Sequence, residues 1–243
     1  MNGRIIELSN IVSIKTDFHT HLLPDIDCSG NPEISAKLLR EMKAAGVQNV
    51  VLTPHFYPQH NNNVEDFLAR RDRNIRHLLK EMEAENLSGI ELIAGAEVLL
   101  CPRLEKLKNL EKLCIEGTNT ILIEMPDLPW SDMLFDSLRK MRNRLGLEVV
   151  IAHADRYGKY NAMYLMDNMG FKVQVNSDST ISFSMKHTIQ DWAKKGYVCA
   201  LGSDKHVHSN NKSCIYKEFP KASVALEKYA DAINEQSLKL IGK

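Results

Sequence analysis

The sequence predicts an α/β fold in which parallel β-strands form a barrel that is covered by helices. Short β-branched apolar runs alternate with longer amphipathic segments along the 243 residues. The runs are nearly all apolar, as is typical of parallel strands buried on both faces. Polar side chains follow these runs, at the end where a parallel barrel has its active site. A single domain over residues 1–243 is expected, because this length is normal for one such barrel.

The strands are predicted from runs rich in Val, Ile and Leu. They are Ile11–Asp17, Val47–Thr53, Ile90–Ala96, Thr120–Ile123, Glu148–Ala152, Phe171–Val175 and Tyr197–Leu201. An open doubly wound sheet would show the same alternation with helices. However, no G-x-G-x-x-G motif follows the first strand.

The helices are predicted from apolar stripes at helical spacing and from their end signals. Pro32 and Glu33 suit the first turn of a helix that Gly46 would end. Ser131 suits the N-cap of a later helix. The later predicted helices are Val64–Asn86, Ser131–Leu145, Met185–Lys195 and Ser223–Ile241.

The composition narrows the class of protein. Apolar residues make up 44% and charged residues 26%, a globular mixture that can bury a full core. The formal net charge is zero and there is no long Lys/Arg run, so no nucleic-acid partner is expected. No apolar stretch approaches the length of a membrane span, so no membrane insertion is expected. The five cysteines are odd in number and scattered, which indicates reduced thiols and a cytoplasmic location.

The residues at the strand ends are of metal-ligand types. They are Asp17-Phe18-His19-Thr20-His21, Thr53-Pro54-His55, Gly95-Ala96-Glu97, Glu124, His153-Ala154-Asp155-Arg156, Asn176 and Ser203-Asp204-Lys205-His206. His19 and His21 would point to one side of an extended segment. Glu97 and Glu124 directly follow apolar runs, where a carboxylate needs a cation. Imidazole and carboxylate groups without clustered thiolates suit Mn, Zn or Fe, and their number predicts two or three divalent ions.

These motifs resemble the PHP (polymerase and histidinol phosphatase) superfamily, and the resemblance runs through nearly the whole chain. Asp17-Phe18-His19-Thr20-His21-Leu22-Leu23-Pro24 and Thr53-Pro54-His55 look most like the bacterial PHP-type protein-tyrosine phosphatases of capsule and exopolysaccharide synthesis. The resemblance implies a distorted seven-stranded β/α barrel and metal-dependent hydrolysis of phosphomonoesters. The implied partner is a phosphotyrosine protein, for example a bacterial tyrosine kinase, or a small phosphoester.

The resemblance also implies three metal sites. The first would use His19, His21, Glu97 and Asp204, the second Glu97, Glu124 and His153, and the third His55, His206 and an acid from the loop after His21. Arg156 would hold a phosphoryl oxygen, and Asp204 and His206 would take part in catalysis. Asp17 and Asn176 would orient the ligands.

Two positions depart from the family pattern. The third-site acid aligns with Cys28. Its thiolate would bind a soft ion such as Zn, Asp27 would shift into its place, or Cys28 only fills the loop. A second family arginine is also missing. His208 and Lys212 would substitute for it in substrate binding, although Lys lacks the two-pronged grip of Arg on phosphate.

Other functions are compatible with the same residues. A histidinol-phosphatase-like enzyme for small phosphoesters would use the same metal ligands. An amidohydrolase also begins with H-x-H, but usually has a modified lysine where Glu124 stands. A catalytically weakened regulatory barrel would explain Cys28 and the missing arginine. The Met125–Trp130 segment would form either a wall of the site or a structural turn.

Overall fold

The computed structural model describes residues 14–24, 26, 31–60, 62–127, 129–207 and 218–243. Its strands are β1 Thr16–His21, β2 Asn49–Leu52, β3 His55–Phe56, β4 Glu91–Ala94, β5 Glu97–Leu99, β6 Thr120–Glu124, β7 Glu148–Ile151, β8 Lys172–Asn176, β9 Val198–Gly202 and β10 Lys205–His206. Its helices are α1 Pro32–Ala44, α2 Val64–Ala84, α3 Asp132–Leu145, α4 Lys159–Met163, α5 Ser177–Ile181, α6 Lys186–Lys194, α7 Glu218–Leu226 and α8 Ala230–Leu240. Among these helices, none has the length and apolar character needed to cross a bilayer.

The strands pair into two sheets. The order is β10-β1-β2-β4 in one sheet and β3-β5-β6-β7-β8-β9 in the other. Every pairing is parallel, which confirms the predicted α/β class. The predicted count of seven strands in one closed barrel is not confirmed, because the described strands are divided between two sheets.

Three strands, β2, β4 and β9, are each followed after a two-residue break by a short strand, β3, β5 or β10, that was not predicted from the sequence. The breaks are at Thr53-Pro54, Gly95-Ala96 and Ser203-Asp204, and at each one the chain passes from one sheet to the other. Pro54 has no N–H group to donate to a neighbouring strand. Asp204 has a φ of 51°, in the left-handed region that does not continue a strand.

Two predicted boundaries are wrong. The first strand was expected over Ile11–Asp17, but β1 begins at Thr16 and continues to His21, with all of its residues buried. Residues 11–13 lie outside the described part of the chain. The single closing helix Ser223–Ile241 is instead α7, the 3₁₀ turn Glu227–Tyr229 and α8.

The helix ends follow the predicted signals with one exception. The Asn31 side chain accepts a hydrogen bond from the backbone N of Ile34 at 3.0 Å, and Pro32 is the first helical residue of α1. Gly46 follows that helix with a φ of 93°, which glycine adopts without strain. Ser131 precedes α3, but its hydroxyl makes no capping hydrogen bond.

The core has two layers because the strands are buried on both faces. Alternate residues of a strand point to opposite sides. Val51, Leu122 and Val150 pack in an inner cluster with Phe18 and Ile241, the latter just after α8. The outer cluster, against the helices, includes Val50, Leu52, Ile121, Ile123, Val149 and Ile151. This arrangement makes the fold barrel-like.

Gly202, the last residue of β9, is packed closely against the side chains of His19 and Gln174. A Cβ atom there would be 2.6 Å from the Cβ of His19 and 2.7 Å from Nε2 of Gln174. Both distances are shorter than real side chains tolerate. The absence of a side chain at this position is therefore a packing requirement.

We predict that Gly202→Ala lowers the free energy of unfolding by about 3 kcal/mol, the upper end of typical overpacking costs. The Cβ of His19 is fixed to the backbone of β1 and cannot move alone. Urea denaturation measures the change. Gly117→Ala is the control, because Gly117 has a φ of 76° and open space around it. That control should cost about 1 kcal/mol of backbone strain. Equal stability of the two variants would contradict the prediction.

Candidate metal centre

Eight of the predicted metal ligands come together at the carboxyl ends of the strands. They are His19, His21, His55, Glu97, Glu124, His153, Asp204 and His206. The remaining predicted ligand, Cys28, lies outside the described residues, as do Asp27, His208 and Lys212. Arg156 also reaches this cluster. The structure thus gathers every described residue to which the sequence analysis assigned a ligand role.

A first group of donor atoms belongs to His19, His21, Glu97 and Asp204. The Nε2 atoms of His19 and His21 are 3.0 Å apart. Oε2 of Glu97 is 3.3 Å from each of these nitrogens. Oδ1 of Asp204 is 3.6 Å from Nε2 of His19 and 3.2 Å from Nε2 of His21. Atoms that each bind the same ion at about 2.0–2.2 Å are separated from one another by distances similar to these.

Glu97 provides the test of whether a cation fits. Its Oε2 atom is buried and makes no hydrogen bond to the described residues. Even so, Nδ1 of His55 is only 2.8 Å away and the two nitrogens of β1 are near as well. Several imidazole nitrogens thus surround one buried carboxylate oxygen. A divalent ion bound by this oxygen and these nitrogens would satisfy it, so the residues fit a metal.

A second group joins the other oxygen of Glu97 to β6 and β7. Nε2 of His153 is 2.8 Å from Oε1 of Glu97 and 3.6 Å from Oε1 of Glu124. His55, Glu97 and Glu124 also bring ligand atoms within 4.8 Å of one another. Glu97 therefore belongs to both groups.

A third group consists of His21, His55 and His206. The ring of His21 stacks on the rings of His55 and His206, with centroids 4.1 Å apart in each case. Nδ1 of His206 is 3.2 Å from the carbonyl oxygen of Asp204, so this nitrogen carries the hydrogen. Burial, together with His21, lowers the pKa of His206 to about 4. Its neutral Nε2 faces Nε2 of His55 at 3.3 Å.

The charges in the cluster favour ionised carboxylates at its centre. Burial alone would raise the pKa of Glu97, but His19 and His153 hold it well below its usual value. Burial alone would lower the pKa of His19, but Glu97 and Asp204 raise it. Burial and the neighbouring Glu97 raise the pKa of Glu124. A divalent ion would compete with protons for these same atoms.

Arg156 lies at the mouth of the cluster. It is in the 3₁₀ turn Ala154–Arg156, directly after His153, and about half of its side chain is exposed. Its guanidinium forms an ion pair with Oδ2 of Asp204. Burial would raise the pKa of Asp204, but His21, His19 and this guanidinium lower it. Asp204 therefore connects the histidines to the exposed arginine.

Supporting contacts hold the loops that carry the ligands. Oδ1 of Asp17 accepts a hydrogen bond from the backbone N of Ser203 at 2.8 Å. The Asp155 carboxylate accepts one from the backbone N of Asn176 at 2.9 Å. The buried guanidinium of Arg71 donates to the carbonyl oxygen of Gly95, at the break before Glu97.

Besides Asp155, two residues that contact the ligand-bearing segments had no role predicted from the sequence. These are Arg71, within the amphipathic helix α2, and Gln174, within β8. Gln174 is fully buried between Val173 and Val175. A polar residue in the middle of an apolar strand was the available signal, because such a group must find hydrogen-bond partners.

A row of aromatic side chains leads from the cluster to the surface. The ring of Tyr157 is 5.5 Å from that of His153, and the ring of Trp130 is 5.4 Å from that of Tyr157. Phe135 follows at 6.2 Å from Trp130, and Tyr164 at 4.9 Å from Phe135. We call Tyr157, Trp130, Phe135 and Tyr164 the aromatic row.

Comparison with solved structures shows relatives with the same fold. One match is from the crystal structures of YwqE from Bacillus subtilis and CpsB from Streptococcus pneumoniae, described as unique metal-dependent tyrosine phosphatases. Its TM-score is 0.73 at 22% identity, over 93% of this chain and 94% of that one. A TatD family hydrolase from Entamoeba histolytica matches with a TM-score of 0.55 at 13% identity, over 94% of this chain and 98% of that one. At these identities the likeness shows the fold.

Comparison with curated protein sequences gives no significant match. A family model does match the chain over most of its length. It is the model for capsular polysaccharide synthesis, CpsB/CapC, and it covers residues 15–236. These residues include β1 with its two histidines and every other described member of the metal cluster. The chain belongs to the CpsB/CapC family of capsular polysaccharide synthesis.

Proposed function

We propose that this protein is a metal-dependent phosphomonoester hydrolase, and more specifically a protein-tyrosine phosphatase that regulates capsule or exopolysaccharide synthesis. The observation that carries the proposal is the convergence of buried imidazole and carboxylate atoms around Glu97. Family membership supports the connection with capsule synthesis. The structural relatives described as metal-dependent tyrosine phosphatases support the reaction and a phosphotyrosine protein as substrate.

The proposal extends to the fold and the location. We propose that β2 with β3, β4 with β5, and β9 with β10 are each one interrupted strand of a distorted seven-stranded barrel. We also propose that the protein works in the cytoplasm. Cys101, Cys114 and Cys199 are free thiols, and burial raises the pKa of Cys114 and Cys199 to about 12. Such thiols are unreactive packing groups rather than parts of a disulfide framework.

Two or three divalent ions, Mn, Zn or Fe, would be held by the clustered side chains. We assign His19, His21, Glu97 and Asp204 to one ion, Glu97, Glu124 and His153 to a second, and His55 and His206 to a third. Bound ions would supply Lewis acidity and lower the pKa of water to about 7. Glu97 belongs to two of these sets, so it would hold two ions near each other.

The protein groups around the ions would bind and orient the substrate. The guanidinium of Arg156 is half exposed and already faces an anionic oxygen, that of Asp204. A phosphoryl group entering beside it would offer the same kind of acceptor. The aromatic row borders His153 and would contact the phenyl ring of a phosphotyrosine residue.

We predict that activity depends on a divalent ion held by Glu97. Metal-stripped protein should be inactive on phosphotyrosine peptides, and Mn, Zn or Fe supplied separately should restore turnover. Glu97→Gln should lower kcat/KM by more than about 100-fold, beyond the usual effect of residues that only support ligands. Bound metal is counted in parallel.

Glu105→Gln is the matched control for this prediction. Glu105 accepts a hydrogen bond from Ser137 and pairs with Lys140, and neither residue belongs to the metal cluster. Its substitution should therefore leave turnover unchanged. Metal uptake by the wild-type protein without hydrolysis of any phosphomonoester would reject the proposed function. High kcat/KM on one small phosphoester and little on peptides would instead identify a small-molecule phosphatase.

We predict that Arg156→Lys lowers kcat/KM by about 10–100-fold, because lysine cannot make two parallel hydrogen bonds to a phosphoryl group. Steady-state kinetics on a phosphotyrosine peptide measures the change. Bound metal should stay at the wild-type level, since Arg156 is not a ligand. Unchanged kinetics would show that Arg156 serves only to pair with Asp204.

We predict that Trp130→Ala weakens the preference for aryl substrates. Loss of one aromatic contact should reduce kcat/KM on a phosphotyrosine peptide by about 2–10-fold. Hydrolysis of glycerol phosphate should not change, because this substrate has no ring. Phe183→Ala is the control, since Phe183 is a fully exposed aromatic residue outside the aromatic row. An equal loss on both substrates would contradict a role in aryl selectivity.

A further inference from the structure

Gln174 connects two members of the metal cluster, His19 and His153, and the neighbouring Asn176 through one buried amide. Its Oε1 atom is 2.7 Å from the backbone N of His153 and 3.1 Å from Nδ1 of His19. Its Nε2 atom donates to Oδ1 of Asn176 at 3.0 Å. The side chain is completely buried, so it has no access to bulk water. Gln174 itself is not of a metal-ligand type for these ions.

The orientation of this amide follows from its partners. A backbone N–H can only donate, so the atom of Gln174 that faces the backbone N of His153 must be the oxygen. Nδ1 of His19 faces the same oxygen and must therefore carry a hydrogen. In a neutral ring the other nitrogen, Nε2, then has the free lone pair.

The lone pair of His19 is thereby directed into the first ligand group. Nε2 of His19 is the atom that lies near His21 and Glu97. In the opposite tautomer this atom would carry a hydrogen and could not bind an ion. Gln174 thus selects the tautomer that a metal requires.

The same oxygen holds the backbone of a second ligand. His153 has a φ of 28° and a ψ of 54°, a conformation that residues with a side chain rarely adopt. Its N–H is bound by Gln174, while its ring reaches Oε1 of Glu97 at 2.8 Å. The hydrogen bond therefore helps to fix the strained residue whose side chain completes the second group.

We propose that Gln174 is a positioning residue, whose single carbonyl oxygen sets the tautomer of His19 and the backbone of His153 so that both can bind metal. The proposal rests on the metal-dependent function proposed above. It adds to that function a group that touches neither ion nor substrate.

Cobalt binding tests this role without an activity assay. Metal-stripped wild-type protein and Gln174→Met are titrated with Co²⁺ against a competing chelator, and the visible absorption of the bound ion is recorded. Methionine has a similar length and no acceptor oxygen. Affinity should fall about 10–100-fold, the usual effect of losing a partner that orients a ligand. The absorption bands should change as well, because the geometry at the ion changes.

Two further variants separate positioning from packing. Gln174→Glu keeps an acceptor oxygen for the backbone N–H of His153 and for Nδ1 of His19. It should therefore show most of the wild-type affinity and the wild-type spectrum, and this comparison remains possible if Gln174→Met fails to fold. Gln190→Met removes a glutamine that donates to the carbonyl of Ala225, and it should leave both unchanged. If Gln174→Met binds Co²⁺ with wild-type affinity and spectrum, the role of Gln174 is wrong but the metal-dependent function stands. The same conclusion follows if Gln174→Met folds and Gln174→Glu is equally impaired. No Co²⁺ binding by the wild type would overturn the metal-dependent function and this role together.

Discussion

The buried carboxylate of Glu97 is the group on which the rest of the site depends. One oxygen lies 2.8 Å from His55 and the other 2.8 Å from His153, so a single side chain ties β3, β5 and the end of β7 together. A charge buried in this way is costly unless cations or donors surround it. The neighbouring histidines reduce that cost in part, and a divalent ion would do so more fully. Stability and metal binding are therefore coupled at this end of the strands.

The irregularity of the sheets is a consequence of the same site. His55 and Glu97 are each the first residue after a strand break, and Asp204 lies within one. An uninterrupted strand would alternate its side chains between the two faces and could not bring so many ligands to one point. Local strain is commonly found at functional sites. The positive φ values of His153 and Asp204 follow this pattern.

The sequence predicted the order of strands and helices well, because apolar runs and helix-end signals are local. It also picked out His19, Glu97 and the other residues that the structure brings together in the cluster, because polar residues after apolar runs stand out. It misplaced β1, in which five of the six residues are Thr, Asp or His, so that the segment does not look like an apolar strand. The short strands β3, β5 and β10 and the contacts of Gln174 could not be predicted, since they depend on residues distant in the chain, such as the pairing of β3 with β5 and of β8 with β9.

The carboxylate of Asp204 contacts both the histidines of the cluster and the arginine at its mouth. Its Oδ1 faces the histidines of β1, while its Oδ2 pairs with the guanidinium of Arg156. Under the proposed function, an incoming phosphoryl group would replace the carboxylate of Asp204 as the anionic partner of Arg156. The guanidinium would therefore have a negatively charged partner both before and after the substrate binds. Oδ1 of Asp204 would stay on the side of the β1 histidines, where it would help to hold an ion. The exchange costs little because the guanidinium is exposed and its alternative partner is always near. Asp204, a member of the first group, thus also holds Arg156 in position at the mouth of the cluster.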